Sequence, residues 1–199
     1  MPYREKIRNM TLISFFTVLA IVSGKVVIPL LVIPFTLQTA VCMMTGLVLG
    51  GKRAVLAQGL YLFMGLAGLP VFSAGGGPAY LLQPSFGYLP GMMLAAGLTG
   101  WLTDQIDPLR NSLKKWLAFL INILGLFVVY LFGVGYLYVL RNIIQTQSLT
   151  LLRALQTGML PYLLTDGVYA VVLAITAPYL RRISRPFVTD RPAATEVAS

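Results

Sequence analysis

Residues 116–140, WLAFLINILGLFVVYLFGVGYLYVL, form an apolar run without a charged side chain. A helix needs about 20 such residues to cross the hydrocarbon core of a bilayer. The whole chain of 199 residues is 57% hydrophobic and only 11% charged, and its mean hydropathy is +0.81. Its apolar residues come in long runs rather than in amphipathic stripes. The sequence therefore predicts an all-α integral membrane protein.

The chain has room for about six transmembrane helices joined by short connections. We expect one membrane domain over residues 1–199, ending in a disordered cytoplasmic tail at residues 182–199. The first apolar run and the charges before it also resemble a secretory signal peptide. Five further spans need that helix to pack against, so we expect it to be retained. The helices are expected near residues 11–28, 34–50, 54–69, 86–103, 114–140 and 160–181.

The positions of the Lys and Arg residues predict the orientation in the membrane. Of these 15 residues, twelve lie on one side of the predicted spans, and Lys25, Arg141 and Arg153 lie on the other. The positive-inside rule then places both termini in the cytoplasm and the connection between the third and fourth helices outside. The basic residues lie at helix ends and do not form a basic helix or strand that could contact nucleic-acid bases. The net charge of +9 therefore does not indicate nucleic-acid binding.

The absence of histidine and the single cysteine, Cys42, exclude disulfides, iron–sulfur clusters and histidine-based metal or acid–base sites. We expect no metal, no cofactor and no enzymatic activity. The segment GLVLGGKRA, residues 46–54, matches the start of a phosphate loop. However, Arg53 stands in place of the Ser or Thr that binds Mg²⁺, and the segment ends an apolar helix. We interpret Gly46 and Gly50 as a packing face of small residues.

Asp166, in PYLLTDGVYAVV (residues 161–172), is the only acidic residue within a predicted span. A carboxylate at membrane depth is costly, so it is a functional-site candidate. The alternative is a structural ion pair with Lys25 or Arg153. Counted from the start of the last helix, Asp166 lies roughly 7 Å below the outer surface. Any site that it forms therefore faces outward.

The segment GLPVFSAGGGPAYLLQPSFGYL, residues 68–89, is uncharged, glycine-rich and aromatic. Irregular backbone at membrane depth is tolerated where protein buries it or where it lines a cavity. Gln38, one turn into the second helix, and Tyr169, three residues after Asp166, fall at the same depth. We expect an outward-facing pocket with this segment as its lid. The alternative is a plain connection that lies on the lipid headgroups, with tyrosines as interface anchors.

Five motifs occur in order along the chain: IPFTLQT (33–39), GLAGLPVF (65–72), QPSFGYLPGM (83–92), VVYLFGVGYL (128–137) and LPYLLTD (160–166). Together they resemble the biotin-specific S components of energy-coupling-factor (ECF) transporters, the BioY family, over roughly residues 11–180. The resemblance implies a six-helix protein of the prokaryotic plasma membrane that captures biotin at the outer side. It also implies that the protein works with a membrane T subunit and two cytoplasmic ATPases, and the missing phosphate loop agrees with this.

Biotin has a ureido ring, a thioether ring and an apolar arm that ends in a carboxylate, and a pocket must match each part. With the resemblance, we expect Asp166 to accept the two ureido N–H groups. Gln38, or a backbone N–H at Gly76 or Gly77, is expected to donate to the ureido oxygen. Another small vitamin would suit the composition nearly as well, and a ligand-free membrane scaffold would leave Asp166 unexplained. The walls are expected from Tyr80, Phe86 and Tyr88.

The chain departs from the family pattern in two places. The family usually has Pro-Gly-Asp, then two residues and a Lys, where this chain has LTDGVY at residues 164–169. Asp166 is kept, but Tyr169 replaces the lysine, so the ligand carboxylate is left for Tyr169 or Lys25 to bind. In the first span the family has alanines spaced for contact with the T subunit. This chain has a looser pattern of small residues there, at Ser14, Thr17, Ala20 and Gly24.

Overall fold

The computed structural model describes residues 2–28, 35–145 and 148–188, which are predominantly helical. The α-helices in these ranges are α1 Pro2–Lys25, α2 Gln38–Leu49, α3 Gly51–Leu66, α4 Tyr88–Ile106, α5 Lys115–Val139, α6 Leu151–Gly158 and α7 Leu160–Val188. A 3₁₀ turn, Pro78–Leu82, lies between α3 and α4, and a π-helical turn, Leu140–Ile144, extends α5. Two short strands, β1 Val27–Ile28 and β2 Phe35–Thr36, pair antiparallel between α1 and α2.

Within the described residues, helix length and composition single out three segments that could cross a membrane. They are Tyr3–Lys25, Lys115–Ile144 and Leu160–Val188, and α2 is apolar but shorter. Between α2 and α3 stands only Gly50, whose φ of +81° is a left-handed conformation that glycine adopts at low cost. The two helices therefore follow each other through one sharp turn.

Two helices extend beyond the apolar runs that predicted them. α1 begins at Pro2 rather than near residue 11, and α7 continues to Val188. Charged residues end an apolar run without ending a helix, because Lys and Arg favour helix formation and extend their charged ends toward water. Residues 182–188 are thus helical rather than part of a disordered tail. Residues 189–199 lie outside the described part of the chain.

α4 lies at the centre of the bundle, where it packs against α2, α3 and α5, while α7 packs against α2 and α5. α1 lies against α3 and α2. Small residues allow α2 and α4 to approach closely. A Cβ placed at Gly46 would lie 2.2 Å from the Thr99 hydroxyl and 2.6 Å from the Ala96 carbonyl oxygen. Gly46 is therefore a packing residue in the segment that partly matches a phosphate loop.

One end of the bundle carries buried charges, where α2 meets α3 and where α4 leads to α5, and we call it the charged end. Arg181 of α7 is fully buried, and its guanidinium lies 3.2 Å from Asp104 and 3.1 Å from Asp107. Arg110 donates to Ser184 at 3.0 Å and pairs with Asp104 at 3.1 Å. Burial and the positive charge of Arg181 lower the pKa of Arg110 to about 10. These contacts join α4, the α4–α5 connection and α7.

Candidate functional site

A cavity opens at the opposite end of the bundle, where α2, α4 and α7 begin. The empty space in and above it, including solvent at its open mouth, is about 560 Å³. Both polar and apolar side chains form its wall, as small-molecule sites require. The described residues on the wall are Thr36, Gln38, Thr39, Ser73, Tyr80, Ser85, Tyr88, Leu89, Met92, Val129, Tyr130, Tyr162 and Asp166.

Asp166 is the acidic side chain on this wall, and it is only 4% exposed. The phenol of Tyr130, on α5, donates a hydrogen bond to its Oδ2. Lys25 instead donates to the backbone oxygen of Phe72 at 2.7 Å. The buried ion pairs among the described residues lie at the charged end of the bundle. These residues therefore give no support to the alternative in which Asp166 forms an ion pair with Lys25 or Arg153. The carboxylate is held by a neutral donor and can still accept hydrogen bonds.

Gln38 lies at the first position of α2 and is 3% exposed. Its Nε2 is buried and forms no hydrogen bond of good geometry among the described residues, although the Tyr61 hydroxyl lies close to this amide. An unpaired buried donor costs about 1–3 kcal/mol. Because Gln38 is also on the cavity wall, a ligand acceptor at this position would remove that cost.

The glycine-rich segment between α3 and α4 packs onto the helices through its aromatic side chains. Phe72 is fully buried, and its ring lies 5.3 Å from Tyr61 on α3 and 4.5 Å from Tyr80. Gly76 and Gly77 are not on the cavity wall. Gly77 has a φ of +95° and donates its N–H to the Gly65 carbonyl at 2.7 Å. A Cβ at Gly76 would lie 2.0 Å from the Leu69 carbonyl oxygen, so both glycines shape the segment.

Three hydroxyl groups of this segment form a hydrogen-bonded chain on the cavity wall, which we call the hydroxyl chain. Tyr80 Oη lies 2.9 Å from Ser73 Oγ and 3.2 Å from Ser85 Oγ. The Tyr80 side chain is buried, and its packing against Phe72 fixes the position of the hydroxyl.

The other predicted wall residues separate into two groups. Tyr88 lies on the wall, and its hydroxyl donates to the Gly158 carbonyl oxygen at 2.7 Å. Phe86 is not on the wall and packs against Tyr136 with ring centroids 5.6 Å apart. Tyr169 is likewise absent from the wall. The structure therefore brings Asp166, Gln38, Tyr80 and Tyr88 together, but not the two residues expected at the ligand carboxylate, Lys25 and Tyr169.

Several wall residues were not identified from the sequence. Tyr130 lies in the middle of the apolar motif VVYLFGVGYL, and a polar group in such a run was the available signal. No comparable signal marks the others, because their position on the wall depends on how the helices and the segments between them pack. They are the polar residues Thr36, Thr39, Ser73, Ser85 and Tyr162 and the apolar residues Leu89, Met92 and Val129.

The small residues of α1 do not share one face. Ser14 is exposed, whereas Thr17 is 2% exposed, Ala20 is fully buried and Gly24 lies beside Gln38. The Thr17 hydroxyl donates to the Ala57 carbonyl oxygen on α3 at 3.0 Å. Three of the four residues expected at a T subunit thus pack within the protein. On the exposed face, Ser14 lies in a groove with Ile7, Met10, Thr11, Phe15 and Val18.

Comparisons with known proteins agree on one family. A sequence model described as the BioY family matches residues 1–186. The chain is 35% identical to a probable biotin transporter BioY of Lysinibacillus sphaericus, over 89% of this chain and 88% of that protein. It is 32% identical to the biotin transporter BioY of Thermotoga maritima, over 88% and 97% of the two chains.

A solved structure is similar over nearly the whole chain. It is the crystal structure at 2.1 Å of the S-component for biotin from an ECF-type ABC transporter. The TM-score is 0.77 and the sequence identity 25%, with 92% of this chain and 95% of that chain covered. The helical arrangement described above is thus that of an S component.

Proposed function

Because this chain belongs to the BioY family, we propose that it is the biotin-binding S component of an ECF transporter in the plasma membrane of a prokaryote. The observation that carries the proposal is the cavity wall on which Asp166, held by Tyr130, and the unpaired donor of Gln38 occur together. The alternatives are an S component for another small vitamin and a membrane scaffold protein without a transport function.

The chemistry of the wall matches the head group of biotin. A carboxylate accepts two N–H groups, and the Asp166 carboxylate has accepting capacity beyond its bond to Tyr130. The Gln38 amide donates to the ureido oxygen, which satisfies its Nε2. Tyr80, Tyr88 and Met92 surround the fused rings and the apolar arm with aromatic and thioether surface.

The proposed membrane arrangement has six crossings within a single domain, made by α1, α2, α3, α4, α5 and α7. Both termini are cytoplasmic, and the glycine-rich segment is external. The charged end supports this orientation, because Arg53, Arg110 and Arg181 meet there with the C-terminal part of α7. The cavity then opens toward the outside, where a nutrient is captured.

Energy for uptake comes from partners in this proposal, namely a T subunit and two cytoplasmic ATPases. The segment that partly matches a phosphate loop belongs to the packed α2–α3 turn and leaves no room for a nucleotide, since Gly46 touches α4. The exposed face of α1 that contains Ser14 is the proposed T-subunit contact. Thr17, Ala20 and Gly24 contribute by letting α1 lie close to its neighbours.

Native mass spectrometry of the chain purified in detergent tests the ligand. We expect biotin to copurify or to bind when added, and to raise the melting temperature. A different vitamin mass would change the substrate, and the absence of any bound small molecule together with no response to biotin would contradict the proposal.

Reconstitution tests the partners: concentrative uptake is expected only with the T subunit and the ATPases. Uptake against a gradient by this chain alone would contradict the S-component assignment.

A further inference from the structure

The cavity has two polar regions that come from different parts of the chain. Asp166 and Tyr130 belong to α7 and α5, whereas the hydroxyl chain of Ser73, Tyr80 and Ser85 belongs to the segment between α3 and α4. If the head group of biotin occupies the first region, the second is available to the other end of the ligand.

The charges around the cavity are unsuited to a strong carboxylate site. Among the described residues on its wall there is one carboxylate, Asp166, and no Lys or Arg. Residues 29–34, outside the described ranges, read PLLVIP and contain no ionisable side chain. Lys25 is exposed and is not on the wall; its ammonium group donates one of its three N–H groups to the carbonyl of Phe72 at 2.7 Å. A ligand carboxylate at the hydroxyl chain would therefore contact neutral hydroxyl groups on the wall, while the Asp166 carboxylate lies in the other polar region of the same cavity.

We propose that the hydroxyl chain binds the tail of biotin, and that the site accepts neutral amide tails as well as the carboxylate. This inference rests on the proposed function. A hydroxyl group can both donate and accept a hydrogen bond. The chain can therefore donate to a carboxylate or an amide oxygen, and it can also accept from an amide N–H. The ligand class extends to biotin whose carboxyl group is joined to an amine.

The hydroxyl chain is organised for this role before a ligand binds. The ring of Tyr80 is 5% exposed and packs against the fully buried Phe72, so its hydroxyl is held in place. The two serines are spaced along the segment on either side of Tyr80 and bond to it directly. A preorganised group loses little conformational entropy on binding, which favours affinity.

Calorimetric titration of the full chain in detergent with three ligands tests the inference. The ligands are biotin, biotin amide and a tail-less analogue that keeps the fused rings but ends its arm in a methyl group. We expect the Kd values of biotin and biotin amide to differ by less than about threefold. Tyr80→Phe combined with Ser85→Ala should weaken both by roughly two- to tenfold. The tail-less analogue should bind the variant and the unmodified protein equally well.

The tail-less analogue also reports whether the pocket is intact, because Tyr80→Phe retains the ring that packs on Phe72. A larger preference for biotin over its amide would overturn the inference, and Lys25→Met would then show whether Lys25 supplies a cation. An unchanged affinity for the two tailed ligands, or an equal loss for all three, would overturn it as well. The outcomes that would overturn the inference do not affect the proposed function. The proposed function fails only if none of the three ligands binds the unmodified chain.

Discussion

Arg181 and Asp107 form an ion pair inside the protein, with Nε 3.1 Å from Oδ2 and only 0% and 2% of the two side chains exposed. Asp107 also accepts the backbone N–H groups of Asn111 and Ser112, at 2.9 and 3.2 Å. Arg181 donates in addition to the Leu47 carbonyl oxygen, at 3.2 Å. One pair of side chains thus fixes the end of α2, the α4–α5 connection and α7 relative to each other.

Arg181→Met should destabilise the protein, because it leaves Asp107 buried without its partner. Removing one member of a buried ion pair costs about 3–5 kcal/mol, so we expect the melting temperature in detergent to fall by on the order of 10 °C. Arg182→Met changes the exposed neighbouring residue and is the matched control. Equal melting temperatures for the two variants would contradict the structural role of the pair.

Asp166→Asn should weaken biotin binding while the fold survives. The amide keeps the shape but replaces one acceptor by a donor that opposes a ureido N–H. Hydrogen bonds to charged groups contribute about 1.5–3 kcal/mol each, so the Kd should rise by roughly tenfold to several hundredfold. Titration calorimetry measures the Kd, and the melting temperature without biotin is the control. An unchanged Kd with a lower melting temperature would assign Asp166 a structural role instead.

Tyr130→Phe tests whether the phenol positions the carboxylate for the ligand. The variant keeps the ring and removes the donor to Asp166. Because Tyr130 affects the ligand only through the position of Asp166, we expect the Kd for biotin to rise by roughly two- to tenfold, which is less than the full contribution of a hydrogen bond to a charged group. In combination with Asp166→Asn the two effects should not add, because the residues act as one unit. Additive losses of binding free energy would indicate that Tyr130 contacts the ligand independently of Asp166.

Gln38→Met should separate a binding role from a packing role. The variant keeps the length of the side chain and removes the Nε2 donor, which is unpaired among the described residues. We expect a two- to tenfold weaker affinity for biotin, as follows from the loss of about one hydrogen bond. The melting temperature without biotin should not fall, since removal of an unsatisfied buried donor is not costly. A large drop in that temperature would show that Gln38 chiefly supports the fold.

The sequence identified residues whose polar side chains cost free energy at their positions in or beside an apolar run. Asp166 and Gln38 could be identified because a polar side chain within or at the edge of an apolar run needs a partner. Ser73 and Ser85 carry no such signal, since serine is ordinary in a glycine-rich connection. Their meeting with Tyr80 depends on how Phe72 anchors that connection to the helices.

Helix faces were harder to predict than helices. Thr17 and Ala20 belong to a pattern of small residues that suits close packing, but the pattern does not tell which neighbour is packed. In the structure they face α3 and the interior of the protein.

From the sequence, Arg181 was interpreted only as one of the charges that set the orientation in the membrane. Its partners Asp104 and Asp107 lie far away in the chain, so its burial could not be read from local sequence.

The proposed orientation predicts which engineered cysteines react from outside the cell. Ala74→Cys in the glycine-rich segment should be labelled by a membrane-impermeant maleimide in intact cells, whereas Ser112→Cys in the α4–α5 connection should react only after the cells are opened. Both positions are exposed. Gly76 is unsuitable, because a Cβ there would lie 2.0 Å from the Leu69 carbonyl oxygen. The native Cys42 is buried, so the unmodified protein should give a low background and serves as the control. The reverse pattern of labelling would place the mouth of the cavity in the cytoplasm, where the site could not capture a ligand from outside.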